Sequence, residues 1–160
     1  MAIEPVDHWE TPAPNMVSDV LRFLDGVANP QMGVCVDSAH VVLGSDGPAT
    51  FAKNIELALD AGWLHYVHLS APDRGALARS WIPWKPFLKP IADRYRGPYL
   101  VEVFNAIPVF LNSLRITRRK FWIPDEDNPV KDWPDAYTVA REALTEVRTQ
   151  LPAVASPVPV

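Results

Sequence analysis

The sequence contains one cysteine, so no disulfide bond can form within the chain, and nothing in its cysteine content indicates secretion. It has no apolar run near the roughly 20 residues that a membrane helix needs, and no signal-peptide pattern. Positive charge is also scarce, because 15 Lys and Arg face 19 Asp and Glu, which argues against a surface made to bind nucleic acid. The expected protein is soluble and cytoplasmic, with neither nucleic acid nor membrane as its partner.

What the chain does contain is the composition of an ordinary globular protein. Of its 160 residues, 48% are hydrophobic and 21% are charged, which suits one folded domain. Its 17 prolines are about twice the usual share, which favours rigid elements joined by short connections.

Segments with strand and helix patterns alternate along the chain. Short apolar runs predict strands at 2–6, 32–37, 63–69 and 99–104. Apolar residues at helical spacing predict helices at 17–27, 51–59, 84–91, 107–119 and 134–151. Pro90 is expected to shorten or kink the third of these helices. Alternation of this kind predicts a parallel α/β sheet with helices packed outside it.

An ionisable residue lies near the carboxyl end of each predicted strand. The four residues are Glu4, Asp37, His68 and Glu102, which follow one another at intervals of 33, 31 and 34 residues. Because functional groups of parallel α/β proteins gather at the carboxyl ends of the strands, we expect these side chains to converge. Taken singly, each could be an ordinary polar residue at a strand end, but their common spacing favours one site.

The chemistry of these four side chains favours a metal ion. Three carboxylates beside one imidazole repel one another unless a cation lies among them. Three oxygen ligands and one nitrogen ligand suit Mn²⁺, Mg²⁺ or Co²⁺ better than a zinc site of thiolates.

Four sequence motifs contain these residues: EPVDHWET at 4–11, VDSAH at 36–40, HLSAPDR at 68–74 and VEVF at 101–104. Together they resemble the sugar isomerase/epimerase family with xylose-isomerase-like TIM barrels, and within it the ketose 3-epimerases of the tagatose and psicose type. The resemblance covers about residues 2–150. It implies an isomerase that moves a proton next to a carbonyl group through a metal-stabilised enediolate.

The resemblance also implies roles for individual residues. One divalent ion, with Mn²⁺ as the first choice, is implied to be held by Glu4, Asp37, His68 and Glu102. Glu4 and Glu102 are implied to be the catalytic acid/base pair as well as metal ligands.

A second group of residues is expected to contact the substrate. The resemblance implies this role for His40, Arg74 and Glu10, and the loop position of His8 and Trp9 makes them candidates to line the pocket. Glu10 is expected to support His40 or a sugar hydroxyl. The family has Asn-Arg where this chain has Asp7-His8, so the motif does not fix which sugar or polyol binds.

Two other residues near the predicted site are given structural roles. Cys35 lies within an apolar strand and is expected to be a small buried side chain rather than a nucleophile. His65 precedes His68 by three residues, so it is expected to face the helical layer instead of the site.

The resemblance implies more strands than the sequence shows. A TIM barrel has eight strands in about 250 residues. Here we predict four β/α units in residues 1–151, which correspond to strands five to eight, the C-terminal half, followed by a disordered tail at 152–160. Because an open half-barrel exposes two sheet edges, the chain is expected to be a truncated reading frame, one half of a split enzyme, or half of a homo-oligomer.

Two other function classes remain open. One is a metal-dependent nuclease of the endonuclease IV type, which shares the barrel, and the other is a non-catalytic subunit that binds a sugar. The nuclease is disfavoured because it uses several zinc ions and a basic face, whereas this chain has 4 histidines and a net charge of −4.

Overall fold

Strands and helices alternate through the part of the chain that the computed structural model describes, residues 1–8, 10–44, 48–72, 76–103 and 135–154. The strands are β1 (Ala2–Ile3), β2 (Gly33–Asp37), β3 (Leu64–Ser70) and β4 (Tyr99–Glu102). The helices are α1 (Val17–Val27), α2 (Ser38–Gly44), α3 (Pro48–Asp60), α4 (Trp84–Ala92) and α5 (Ala136–Val154), and a 3₁₀ turn covers Leu77–Arg79. None of the helices in these ranges is both long enough and apolar enough to cross a membrane.

The four strands form one sheet in the order β1-β2-β3-β4, and every neighbouring pair is parallel. In the register of the sheet, Ile3 lies opposite Val34, Asp37 opposite His68 and Ser70 opposite Glu102. Parallel neighbours require crossover connections, which the helices provide. The predicted parallel α/β architecture is therefore confirmed, and the carboxyl ends of the strands share one edge of the sheet.

The hydrophobic core lies between the sheet and the helices. All five residues of β2 are buried, as expected for a strand covered on both faces. Because side chains alternate along a strand, Val34 and Val36 turn to one face, and Cys35 and Asp37 to the other. The valines join the core, to which the helices contribute Val17, Val20, Leu24, Ile55, Phe87, Leu88 and Ile91.

Helices α2 and α4 both differ from the sequence predictions. No helix is predicted directly after Asp37, yet α2 begins there, because the Asp37 carboxylate accepts hydrogen bonds from the backbone of Ala39 and His40 and so caps the helix. Helix α4 contains Pro90 in its last turn and continues for two residues beyond it, to Ala92. The expected shortening of this helix by Pro90 is therefore wrong, because a proline in the last turn is followed by too few residues to end the helix early.

The terminal helix is longer than predicted. It runs through Val154, three residues into the segment that the sequence predicts as a disordered tail. Ala143 and Val147 bury one face of this helix in the core, which anchors it. The predicted helix at 107–119 and residues 155–160 lie outside the described residues.

Strands β1 and β4 are the outer strands of the described sheet. Within the described ranges, β1 pairs with β2 alone and β4 with β3 alone. They are also short, with two and four residues. Leu100 on β4 is 39% exposed, which is high for an apolar residue of a parallel strand.

Candidate functional site

The four strand-end residues converge on one point of the sheet edge. Glu4, Asp37, His68 and Glu102 each offer one nitrogen or oxygen atom, and these atoms all lie within 4.8 Å of one another. The register brings Asp37 beside His68, and the outer strands bring the two glutamates to either side. The spacing of these residues in the sequence thus reflects a real cluster in space.

His68 lies between two carboxylates. Its Nδ1 atom is 3.2 Å from Oε1 of Glu4 and 3.2 Å from Oε2 of Glu102. Contacts with Cys35, Glu102 and Glu4 raise the pKa of His68 to about 12, and burial, which lowers it, is the weaker effect. The raised pKa favours the doubly protonated, positively charged imidazole, whose charge offsets the neighbouring carboxylates.

Two atoms of this cluster lack a hydrogen bond. Oε1 of Glu4 and Nδ1 of His68 are buried, and neither has a hydrogen-bond partner of acceptable geometry among the described residues, although the two atoms are 3.2 Å apart. The contact between them is therefore ionic rather than a directed hydrogen bond. Because buried polar atoms are nearly always satisfied, this pair fits a cation that would bind to Oε1 of Glu4 and, once its proton has left, to Nδ1 of His68.

Asp37 is held rigidly and is fully buried. The hydroxyl of Ser70 donates to both carboxylate oxygens, at 2.8 and 2.7 Å, in addition to the two backbone bonds from α2. Ser70 is itself fixed by Ser38, whose hydroxyl donates to the Ser70 carbonyl at 2.5 Å and accepts from the Ser70 amide at 2.9 Å. The sequence prediction missed both serines, although each lies within two residues of a predicted ligand.

A second cluster adjoins the first. Asp7 and His40 are both buried, and Nδ1 of His40 lies 3.0 Å from Oδ2 of Asp7 and 3.1 Å from the Asp7 amide nitrogen, which donates to it. The carboxylate of the exposed Glu10 completes a group whose atoms lie within 4.8 Å of one another. Glu10 thus lies near His40 in the structure. Asp7 is a further member of this cluster, although the sequence indicates it only as a departure from the family motif.

The segment after Glu4 forms a loop that closes on itself. The amide of Val6 donates to the carbonyl of Pro14 at 3.2 Å, which joins the two ends of the loop. The side-chain amide of Asn15 donates to the carbonyls of Val6 and Thr11, at 2.7 and 2.9 Å. These bonds fix the backbone on which Asp7 and Glu10 are placed.

Cys35 is buried, as the sequence predicts, but it also adjoins the site. Its sulfur lies within 4.8 Å of ligand atoms of Glu4 and His68. Burial raises the pKa of the Cys35 thiol. The position of Cys35 beside the site could have been predicted from the sequence. Cys35 precedes Asp37 by two residues on the same strand, and residues two apart on a strand lie on the same face of the sheet.

Four other residues have a place in the sequence predictions: His8, Trp9 and Arg74 as substrate contacts, and His65 as a residue facing away from the site. His8 is exposed, and Trp9 and Arg74 lie outside the described residues. His65 lines a separate cavity of about 400 Å³ together with Leu59, Arg94, Tyr95 and Arg96. These residues flank the start of β3 and the approach to β4, so His65 is turned away from the site, as expected.

Known proteins that match the chain are consistent with this geometry. The family described as xylose isomerase-like TIM barrels matches residues 1–133. L-ribulose 3-epimerase of Methylomonas sp. (strain DH-1) is 30% identical over 129 residues, covering 78% of this chain and 43% of that protein. Ketose 3-epimerase of Arthrobacter globiformis is 25% identical over 152 residues, covering 93% and 50%. The chain thus spans about half the length of the curated relatives it matches.

Solved structures of sugar isomerases and epimerases also match most of this chain. A protein from Anabaena variabilis ATCC 29413, described as a sugar phosphate isomerase/epimerase, superimposes with a TM-score of 0.79 at 55% identity, covering 96% of this chain and 47% of that one. D-allulose 3-epimerase from Methylomonas sp., in complex with D-allulose, superimposes with a TM-score of 0.72 at 27% identity, covering 93% and 47%.

The buried contact between Asp7 and His40 predicts strong energetic coupling. We expect Asp7→Ala and His40→Ala each to lower the free energy of unfolding, because each removes a buried polar partner of the other. A double-mutant cycle measured by urea denaturation should give a coupling energy of about 0.5–3 kcal/mol.

The ion pair of Asp19 with Arg22 is a matched control, because the Arg22 side chain is 78% exposed. Its coupling energy should stay below about 1 kcal/mol. If the Asp7–His40 cycle gave no more than this control, the buried contact would not hold the two residues together.

Proposed function

The chain belongs to the xylose isomerase-like TIM barrel family, and on that premise we propose that it is the half of a sugar epimerase barrel that carries the metal site. In this proposal β1 to β4 correspond to strands five to eight of an eight-stranded barrel. The likeness to L-ribulose, ketose and D-allulose 3-epimerases supports an isomerase that acts on a ketose. Coverage of about half of each relative supports the assignment as one half of the barrel.

The convergence of Glu4, Asp37, His68 and Glu102 is the observation that carries the proposal. We propose that they hold one divalent ion, with Mn²⁺ as the first choice and Mg²⁺ or Co²⁺ as alternatives. The buried Oε1 of Glu4 and Nδ1 of His68 support this assignment, because an ion would satisfy both atoms. The hydrogen bonds from Ser70 and α2 would keep Asp37 in place while it binds.

Glu4 and Glu102 are the proposed acid/base pair. Each carboxylate contacts Nδ1 of His68. Glu4 directly follows β1 and Glu102 ends β4, so the two glutamates approach from opposite sides of the described sheet. A 3-epimerase must remove a proton from one face of a sugar carbon and return one to the other face, which needs two groups. One glutamate would take the proton on a carboxylate oxygen, and the other would donate one. A bound divalent ion would supply Lewis-acid stabilisation of the negative charge on the sugar oxygens.

Other residues are proposed to bind and orient the sugar. His40 would contact a sugar oxygen, and its position would be set by Asp7, which holds the ring at Nδ1. Glu10 would support His40 or contact a hydroxyl. Arg74 remains a proposed substrate contact on the evidence of the sequence motif, and His8 and Trp9 remain so because of their loop position.

Replacement of Asp37 should abolish metal binding. We expect Asp37→Ala to lose the ion, because it removes a ligand that has no proposed part in proton transfer, whereas Asp60→Ala should retain it. Asp60 is a suitable control because it is exposed and pairs with Arg94. Metal content after dialysis against Mn²⁺ gives the measurement, with circular dichroism as the check on folding. Equal occupancy in the two variants would contradict the ligand assignment.

Replacement of either glutamate should stop proton exchange. In deuterated water, Glu4→Gln and Glu102→Gln should incorporate no deuterium at the sugar carbon, because each lacks one of the two groups required. Arg74→Ala should instead raise KM with a smaller effect on kcat. A ketose panel that includes D-allulose, followed by mass spectrometry, tests both effects. Deuterium exchange at the wild-type rate in either glutamine variant would exclude Glu4 and Glu102 as the acid/base pair. If the wild-type chain bound metal but showed no exchange, a non-catalytic sugar-binding subunit would be favoured.

From the position of β1 and β4 at the edges of the described sheet, we predict that the chain is not a stable, active monomer. Each unsatisfied buried amide group costs about 1–3 kcal/mol, so even a few along the two outer edges would be a large part of the stability of a typical domain, about 5–15 kcal/mol. The purified chain should dimerise, aggregate, or become active only with a chain that supplies the first four strands. Sedimentation at micromolar concentration tests this. A folded monomer that epimerises a ketose unaided would contradict it.

A further inference from the structure

Cys35 faces the same cluster as the proposed metal ligands. It precedes Asp37 by two residues on β2, so both side chains lie on the sheet face that carries the site. Its sulfur, a ring nitrogen of His68 and a carboxylate oxygen of Glu4 all lie within 4.8 Å of one another. The residue is only 4% exposed, so the thiol is directed inward rather than to solvent.

Two ligand sets therefore share two residues. The carboxylate set consists of Glu4, Asp37, His68 and Glu102, and the thiol set consists of Glu4, Cys35 and His68. The shared residues supply the two buried atoms that lack a hydrogen bond, Oε1 of Glu4 and Nδ1 of His68. Because an ion in either set would use the same two residues, the sets would compete for a single ion.

The two sets differ in the metals that they favour. Carboxylate oxygens suit Mn²⁺ and Mg²⁺, whereas a thiolate selects softer ions. Zinc is commonly bound by a mixture of sulfur, nitrogen and oxygen ligands at about 2.0–2.3 Å. Ligand atoms within 4.8 Å of one another are close enough to surround such an ion after small side-chain rotations.

We propose that Glu4, Cys35 and His68 form a second metal site, which binds a thiophilic divalent ion such as Zn²⁺ or Cd²⁺ in competition with Mn²⁺. In this step the sulfur–hydrogen bond of Cys35 and one nitrogen–hydrogen bond of the His68 imidazolium break, and both protons pass to solvent. The thiolate and the freed ring nitrogen then bind the metal, with no change of oxidation state. The proposal rests on the proposed function for the identity of the competing ion. It implies that zinc would exclude Mn²⁺ from the carboxylate set.

The test is direct because Cys35 is the only cysteine in the sequence. Any sulfur-to-metal charge-transfer absorption that appears when the metal-free chain is titrated with Cd²⁺ or Co²⁺ must come from this residue. We expect the band in the wild type and its loss in Cys35→Ala and Cys35→Ser, with affinity for Cd²⁺ lowered about 10-fold or more. Binding of Mn²⁺, followed by the magnetic resonance signal of the free ion, should persist in Cys35→Ala.

Asp37→Ala provides the matched variant, because it removes a member of the carboxylate set and leaves the thiol set complete. It should keep the cadmium band while losing Mn²⁺. In the wild type, added Cd²⁺ should displace bound Mn²⁺ in equimolar amount.

The outcomes separate the two proposals. A wild-type chain that binds Mn²⁺ but gives no thiolate band would overturn the thiol site and leave the proposed function intact. A thiolate band in a chain that fails to bind Mn²⁺ would support the thiol site and count against the carboxylate site. Simultaneous binding of Cd²⁺ and Mn²⁺ would overturn the proposed competition.

Discussion

The site can form only if the electrostatic repulsion among three carboxylates at one edge of the sheet is offset. Two unit charges 4 Å apart interact by about 4 kcal/mol near a protein surface, so this cluster needs compensation. The chain supplies part of it through the four hydrogen-bond contacts that Asp37 accepts. Another part comes from His68, whose pKa is raised to about 12 by Cys35, Glu102 and Glu4. In the proposed metal-bound state, a divalent cation would take the place of the second proton on the His68 ring as the source of positive charge.

The short helix α2 connects the two clusters of the site. Its first turn is capped by the Asp37 carboxylate, and its third residue is His40. His40 in turn contacts Asp7, on the loop that begins at Glu4. A displacement of Asp37 would therefore be transmitted to the residue proposed to contact the sugar, and further to the other side of the site. The proposed metal ligands and substrate contacts form one mechanical unit rather than two independent groups.

The elements that could be predicted from the sequence are those set by periodic burial. Helix α1 follows from a single apolar stripe, and β2 from a continuous buried run. The meeting of Glu4 with Glu102 could also be predicted, because strand-end position depends only on topology. Helix α2 could not, since its start depends on a carboxylate cap and its length is only seven residues. The contact between Asp7 and His40 joins residues 33 apart through side-chain hydrogen bonds, which leave no periodic signal.

The closed loop after Glu4 has a consequence for how such a protein can diversify. A hydrogen bond between Val6 and Pro14 and another from Asn15 to Val6 hold the two ends of the loop together. The distance between these ends is therefore fixed. A loop anchored in this way can change in sequence or length without moving the strands, as surface loops on rigid scaffolds do. His8 and Glu10 lie within it, whereas Asp37 and His68 lie on the sheet. An exposed loop residue such as His8 can therefore be exchanged while Asp37 and His68 keep their places on the sheet.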